Sequence, residues 1–290
     1  MQTFTAELKE VARGAGADLV GVARIARFED VTAEHHPASI FPEVRSVIVL
    51  AKRITRGCLR GVEEGTQFSL YATYAMNWLP DRFMALTTVT VASFLEDQRW
   101  EAVPLPELPP QVPAMGVAVK PGLPRPNVML DFADAAVRAG LGQIGFTGEL
   151  MTPQFGHLQR VQIVLTDAEL DGDPMCAQPV CDRCGECVRA CPLGAISSTP
   201  ARTLTICGTT AALAKIDSAL CLRCKNGAWP NRSHPSGAPD RLAAACMRAC
   251  VCHLEKTNRL EKRFRQPFRQ RAAWMVGDNG VPALVPEVRS

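Results

Sequence analysis

Residues 181–192 read Cys-Asp-Arg-Cys-Gly-Glu-Cys-Val-Arg-Ala-Cys-Pro, so Cys181, Cys184 and Cys187 are separated by two residues each, and Cys191 follows three residues later, directly before Pro192. No other stretch constrains the fold as strongly. Three thiolates at this spacing wrap a tight loop around one corner of a four-iron, four-sulfur cube. Gly185 relieves crowding where the backbone passes close to it. The fourth cysteine of such a run ordinarily ligates a different cluster. A second cysteine group is therefore required downstream, and the chain supplies Cys221, Cys224, Cys246, Cys250 and Cys252.

The bookkeeping closes on two 4Fe–4S clusters. The first takes Cys181, Cys184 and Cys187 and is completed by Cys250, with Cys252 as the competitor for that place. The second takes Cys191 with Cys221, Cys224 and Cys246. Zinc is the poorer reading, because structural zinc sites use paired C-x2-C knuckles. Disulfides need an oxidising compartment, and the N-terminus carries no export signal pattern. Twelve cysteines are therefore expected to serve metal chemistry in the cytoplasm.

A length of 290 residues allows one large or two smaller domains, and 47% hydrophobic content supports a real core. A net charge of +3 is too small to imply nucleic acid by itself. No apolar run approaches a membrane span, so no membrane partner is expected.

Along the chain, residues 1–172 read as a first domain, with helices and strands alternating over 1–100. Helix is expected over 5–15, and strands over 17–23, 46–51, 100–104 and 158–166. A long helical stretch over 70–96 is broken or kinked at Pro80. Residues 104–126 hold eight prolines and read as an irregular loop. A helix over 131–139 runs into Gly140-Leu-Gly142-Gln-Ile-Gly145. Residues 173–255 form a compact region with clusters for a core. Residues 256–290 are a basic C-terminal tail.

The segment from Ala139 to Gly156, Ala-Gly-Leu-Gly-Gln-Ile-Gly-Phe-Thr-Gly-Glu-Leu-Met-Thr-Pro-Gln-Phe-Gly, resembles the epoxyqueuosine reductase family, itself related to the catalytic domains of reductive dehalogenases. The resemblance continues through Leu165-Thr-Asp167, the cysteine array and an early Ser69-Leu-Tyr71-Ala segment. It implies an α/β (α+β) nitroreductase-like, corrinoid-binding domain followed by a small ferredoxin-like domain with two 4Fe–4S clusters. The implied activity is a cobalamin-dependent reduction fed by both clusters, with reduced ferredoxin or flavodoxin as donor. Asp131 is the acid nearest the place of the family's proton-donating Asp. Gln143 and Phe146 stand where the family carries Trp and Lys, and no counterpart of its tRNA-binding C-terminus follows residue 255.

Read without the family, Gly140, Gly142 and Gly145 form a G-x-G-x-x-G preceded by a helix rather than a strand, which argues against a dinucleotide turn. They either admit a phosphate or cofactor tail or allow tight packing; Thr152 begins the turn that follows. Tyr71, Tyr74 and Trp78 fall at i, i+3 and i+7, one helical face. That face either flanks a flat macrocycle, with Tyr71 as proton donor, or is a core stripe. Asp131 is either a general acid or a helix N-terminal acid. The five histidines share no metal-ligand spacing. The basic run Lys256–Arg271, with Phe264 and Phe268, suits RNA phosphates, an acidic electron donor or a solvated face.

Three functions compete: a corrinoid and iron–sulfur reductase acting on a small organic molecule or modified nucleoside, a two-cluster electron carrier without corrinoid, and a reductase carrying FMN in the same pocket. The long stretch before the cysteines exceeds what an electron carrier needs and favours an enzyme.

Overall fold

The computed structural model describes residues 2–112 and 114–285; Pro113 of the proline-rich loop and residues 286–290 of the tail lie outside the described residues. The chain opens with α1 (Gln2–Gly14), β1 (Leu19–Arg24) and β2 (Ser46–Arg53). The single-turn α2 (Arg60–Glu63) precedes a long helical stretch that ends in α3 (Ala85–Asp97), followed by β3 (Ala102–Leu105). After the proline-rich loop come α4 (Phe132–Arg138), the two-residue strands β4 (Gln143–Ile144) and β5 (Leu150–Met151), and β6 (Gln159–Thr166).

β1, β2, β6 and β3 form one sheet in that order, antiparallel throughout. β2 explains why the sheet is covered twice. Its successive residues point to opposite faces, and both sets are apolar. Ile48 and Leu50 pack with Leu8 of α1 and with Val91 and Leu95 of α3. Val47, Val49 and Ala51 pack on the other face with Ala135, Ala136 and Val137 of α4. The result is a mixed α/β core with helices on both faces.

The expected helix around Pro80 takes an unusual form. Tyr71–Asn77 and Leu79–Met84 are wound as π-helix, and regular α-helix resumes at Ala85. Pro80 lies near the start of the second π segment and lacks an N–H; the carbonyl of Ala75, five residues back, accepts from Arg160 Nε at 3.1 Å instead. The wider turn changes the angular position of each residue, so the single face expected for Tyr71, Tyr74 and Trp78 is lost. Tyr71 is fully buried while Tyr74 is 49% exposed.

The second half contains α5 (Glu186–Arg189), the hairpin β7 (Ile196–Ile206) and β8 (Thr209–Ile216), then α6 (Ser218–Arg223) and α7 (Ala245–Lys256). A small hairpin of β9 (Trp274–Val276) and β10 (Pro282–Leu284) follows. A third apolar cluster joins the two halves. It takes Ile54, Leu59, Val62, Tyr71 and Leu79 from the first, and Leu242, Met247, Val251 and Phe268 from the second. Beside it, the fully buried Arg248 of α7 donates to Glu63 of α2 at 2.5 Å, and Arg269 donates to the same carboxylate at 2.6 Å. No helix among the described residues is long and apolar enough to cross a membrane.

Candidate functional site: two cysteine groups and a cleft

The cysteine array begins at Cys181 and reaches α5 through Gly185, whose φ of +80° is the left-handed conformation a tight loop requires. α7 then brings Cys246 and Cys250 in from the far end of the region. These two are one helical turn apart and lie on the same side of α7, yet they meet different partners. Burial pushes the Cys250 thiol well above its ordinary value, and Cys181, Cys187 and Cys184 push it further. Burial pushes Cys246 up to about 12 against the pull of Arg241, with Cys191, Cys221 and Cys224 adding to the rise. The thiols acting most on Cys250 are thus Cys181, Cys187 and Cys184, and those acting on Cys246 are Cys191, Cys221 and Cys224. Cys191, Cys221, Cys224 and Cys246 line one small cavity.

Cys252 has different surroundings. The charges nearest it are those of Arg269, Glu63, Glu255 and Arg248, and it lines a groove under the basic tail. Beside the first group, His253 Nε2 and Arg259 Nε lie 2.8 and 3.0 Å from Asp182 Oδ2.

A second cavity, of about 420 Å³, opens next to the Cys191 group. Ile144, Leu204, Ile206, Leu213 and Ile216 give it an apolar wall, much of it from the β7–β8 hairpin, and Pro109 and Pro110 of the proline-rich loop line it too. Its polar wall carries Arg160, Asp240, Glu149 and Arg241. Arg160 pairs with Asp240, and Tyr71 donates to Asp240 at 2.6 Å from behind. Burial, then the Asp240 carboxylate, raises Tyr71 well above the usual phenol value. Burial alone would raise Asp240, but the Arg160 guanidinium and the Tyr71 O–H hold it below the usual carboxylate value. Arg241 donates through Nη2 to Thr147 O at 2.9 Å and to Glu149 Oε1 at 2.7 Å.

Among the other residues singled out in the sequence, only Asp131 lines the cleft. Its Oδ1 caps α4, accepting from the N–H groups of Ala133 and Asp134 at 2.9 and 3.1 Å. Tyr74 and Trp78 pack edge to face at 5.3 Å, with Arg82 over the Trp78 ring at 4.6 Å. The space a side chain would need at the three glycines is filled by the chain itself: a Cβ at Gly140 would collide with Pro174 O, at Gly142 with Met151 O, and at Gly145 with Met151 Sδ. They shape the corner that delivers Ile144 and Glu149 to the cleft. Thr152 is buried and closes its own turn, bonding Gln159 and the Phe155 N–H.

Arg160, Asp240 and Arg241 were not found by motif. One signal was available for Arg160, the only charge in the strand expected over 158–166. Asp240 and Arg241 lie in an irregular stretch with no pattern to mark them.

No family model matches the chain. Tetrachloroethene reductive dehalogenases from Desulfitobacterium hafniense and Dehalobacter restrictus are 43% identical to it over 65 residues, 21% of this chain and 12% of theirs. A solved reductive dehalogenase, described with a mechanism for B12-dependent dehalogenation, superposes with a TM-score of 0.56 at 17% identity, covering 84% of this chain and 31% of that one. Epoxyqueuosine reductase from Streptococcus thermophilus gives a TM-score of 0.49 at 15% identity, covering 72% of this chain and 55% of that one. The chain spans under a third of the solved dehalogenase and about an eighth of the curated ones. Its structural neighbours are reductive dehalogenases and epoxyqueuosine reductases, and over most of its length it has the fold of the former.

Proposed function

We propose that the protein is an oxidoreductase with two 4Fe–4S clusters and a corrinoid, reducing a small organic molecule or a modified nucleoside. One observation carries this reading: Cys191, Cys221, Cys224 and Cys246 line one cavity, and Arg241 joins that cavity to a cleft large enough for a ligand. Cys181, Cys184, Cys187 and Cys250 would hold the first cluster, and Cys191, Cys221, Cys224 and Cys246 the second. Thiolate sulfur is the soft donor that iron–sulfur clusters take. The fit extends beyond the thiols. Arg241 lines the second cysteine cavity, and its Nη1 is buried with no hydrogen-bond partner, a donor suited to a cluster sulfur.

The cleft suits a flat macrocycle with a polar rim. The apolar face of the hairpin and the prolines 109–110 would cover the ring, and the charged residues would meet its amides. The N-terminal region is then nitroreductase-like in role, and the cysteine region ferredoxin-like. A bound corrinoid supplies a low-potential reductant for the substrate.

The chain's own residues provide the rest. Cysteinate ligands set low cluster potentials. Burial keeps the proton on Tyr71 Oη at neutral pH, and the phenol reaches the cleft wall through Asp240. Asp131 offers Oδ2, since Oδ1 serves the helix cap. A reduced ferredoxin or flavodoxin is the proposed donor, meeting the basic tail beside the first cysteine group.

The test is to purify the protein without oxygen, with corrinoid supplied, and to quantify iron, cobalt and flavin in one sample. Iron for two four-iron clusters and cobalt near one per chain are expected. Iron without cobalt would remove the corrinoid from this reading, and flavin in its place would reassign the cleft.

A further inference from the structure

Arg241 is the one residue that lines both the cavity of Cys191, Cys221, Cys224 and Cys246 and the neighbouring cleft. It is 8% exposed. One nitrogen, Nη2, is anchored on the cleft side by Thr147 O and Glu149 Oε1. The other, Nη1, is fully buried without an acceptor. Leaving a buried donor unmatched costs roughly 1–3 kcal/mol, more when it is charged. A guanidinium held this firmly on one side and unmatched on the other points to a missing acceptor.

We infer that Arg241 is a positioning residue for electron transfer: its Nη1 donates to a sulfur of the cluster held by Cys191, Cys221, Cys224 and Cys246, and its charge raises that cluster's reduction potential. This rests on the cluster assignment above. When the cluster accepts one electron from an external one-electron donor, the cavity gains one negative charge. A fixed guanidinium in a low-dielectric wall favours that state, and hydrogen bonds to cluster sulfurs act in the same direction. Arginine stays protonated throughout, so the charge is permanent. Glu149 partly cancels it from the cleft side at 2.7 Å. The pair therefore forms a charged wall between the cluster and the place where the electron is used.

The arrangement predicts shifts of opposite sign. In anaerobic holoprotein, redox titrations followed by electron paramagnetic resonance should show a lower midpoint potential for this cluster in Arg241→Gln. In Glu149→Gln the potential should rise. Arg241→Lys keeps the charge but loses the planar fork, so its shift should be smaller than that of Arg241→Gln. The other cluster should not move in any variant, which makes it an internal reference. The signal lost in Cys224→Ser identifies which cluster is which. Unchanged potentials in Arg241→Gln with iron content intact would overturn the inference. If that variant loses the cluster, Glu149→Gln decides alone, and an unchanged or lowered potential there is equally fatal. Wild-type protein without the second cluster's iron would instead defeat the cluster assignment before any variant is compared.

Discussion

Tyr71 has no exposed surface, yet its O–H ends on a carboxylate that faces the cleft. Asp240 is shared between this phenol and Arg160, whose Nη2 also lies 3.1 Å from Tyr71 Oη. A proton leaving the phenol would pass to Asp240 at the wall, and Arg160 would balance the charge left behind. Under the proposed function, Tyr71→Phe should lower turnover by about 100-fold or more, the usual weight of a general acid, with iron and cobalt contents unchanged. Turnover at the wild-type rate would take Tyr71 off the proton path. His157 provides a second test that does not depend on activity. It is 1% exposed and neither ring nitrogen has a partner. Burial, with Arg241 adding, lowers it from 6.5 to about 3. Between those values the unfolded chain binds a proton that the folded chain refuses, so stability falls as pH falls. Linkage puts the loss at about 2 kcal/mol between pH 8 and pH 5. Unfolding free energies of wild type and His157→Phe from denaturant titrations should diverge by that amount, the variant gaining as the solution is acidified; parallel pH profiles would mean the ring is not buried neutral.

Helix α7 shows what a single element can decide. Cys246 and Cys250 are four residues apart and lie on one side, while Cys252 is turned about 200° from Cys250. Cys252 therefore faces Glu63, Arg248 and Arg269 instead of the array. Cys250→Ser should lose iron equivalent to one cluster, and Cys252→Ser should keep both; metal analysis of the two purified variants decides between them, and the reverse pattern would exchange their roles. The competition between these cysteines was visible in the sequence, but its outcome depends on helix phase, which spacing alone did not supply. Other elements were more openly written. β2 opens on an apolar, β-branched run, β6 alternates, and Asp131 before Phe132-Ala-Asp-Ala was placed as a helix N-terminal acid at the start of α4. The β7–β8 hairpin was not read because most residues of β7 are exposed, so it lacks the apolar alternation that marks a strand. The π-wound stretch was missed for a different reason. Its sequence carries helical periodicity, and only tertiary packing around Tyr71 and Pro80 widens the turn. The glycines left a cofactor tail and tight packing both open, and a Cβ at each would meet the chain itself: backbone at Gly140 and Gly142, and the Met151 side chain at Gly145.

The regions that the sequence divides near residue 172 share an apolar cluster. Ile54, Leu59 and Val62 are buried against Leu242, Met247 and Phe268. Glu63, 6% exposed, has both of its cationic partners, Arg248 and Arg269, beyond residue 240. Removing one side of a buried ion pair costs about 3–5 kcal/mol, a large share of the 5–15 kcal/mol that holds a typical domain folded. Residues 1–172 expressed alone would expose this apolar face and leave Glu63 without either counter-charge. In the other direction, under the proposed function, loss of the clusters would free α7 and remove the surface on which residues 54–79 pack. The two regions should therefore unfold together. In anaerobic guanidinium titrations of the intact holoprotein, the loss of cluster absorbance and the loss of far-ultraviolet dichroism should share one midpoint, the signature of a single cooperative unit. Arg248→Met should move both midpoints down by the same amount, because it breaks the link rather than either side. Dichroism that outlasts the cluster signal by a clear interval would mean that the sheet and its helices are stable without the cysteine region, and that the shared core contributes little to holding them.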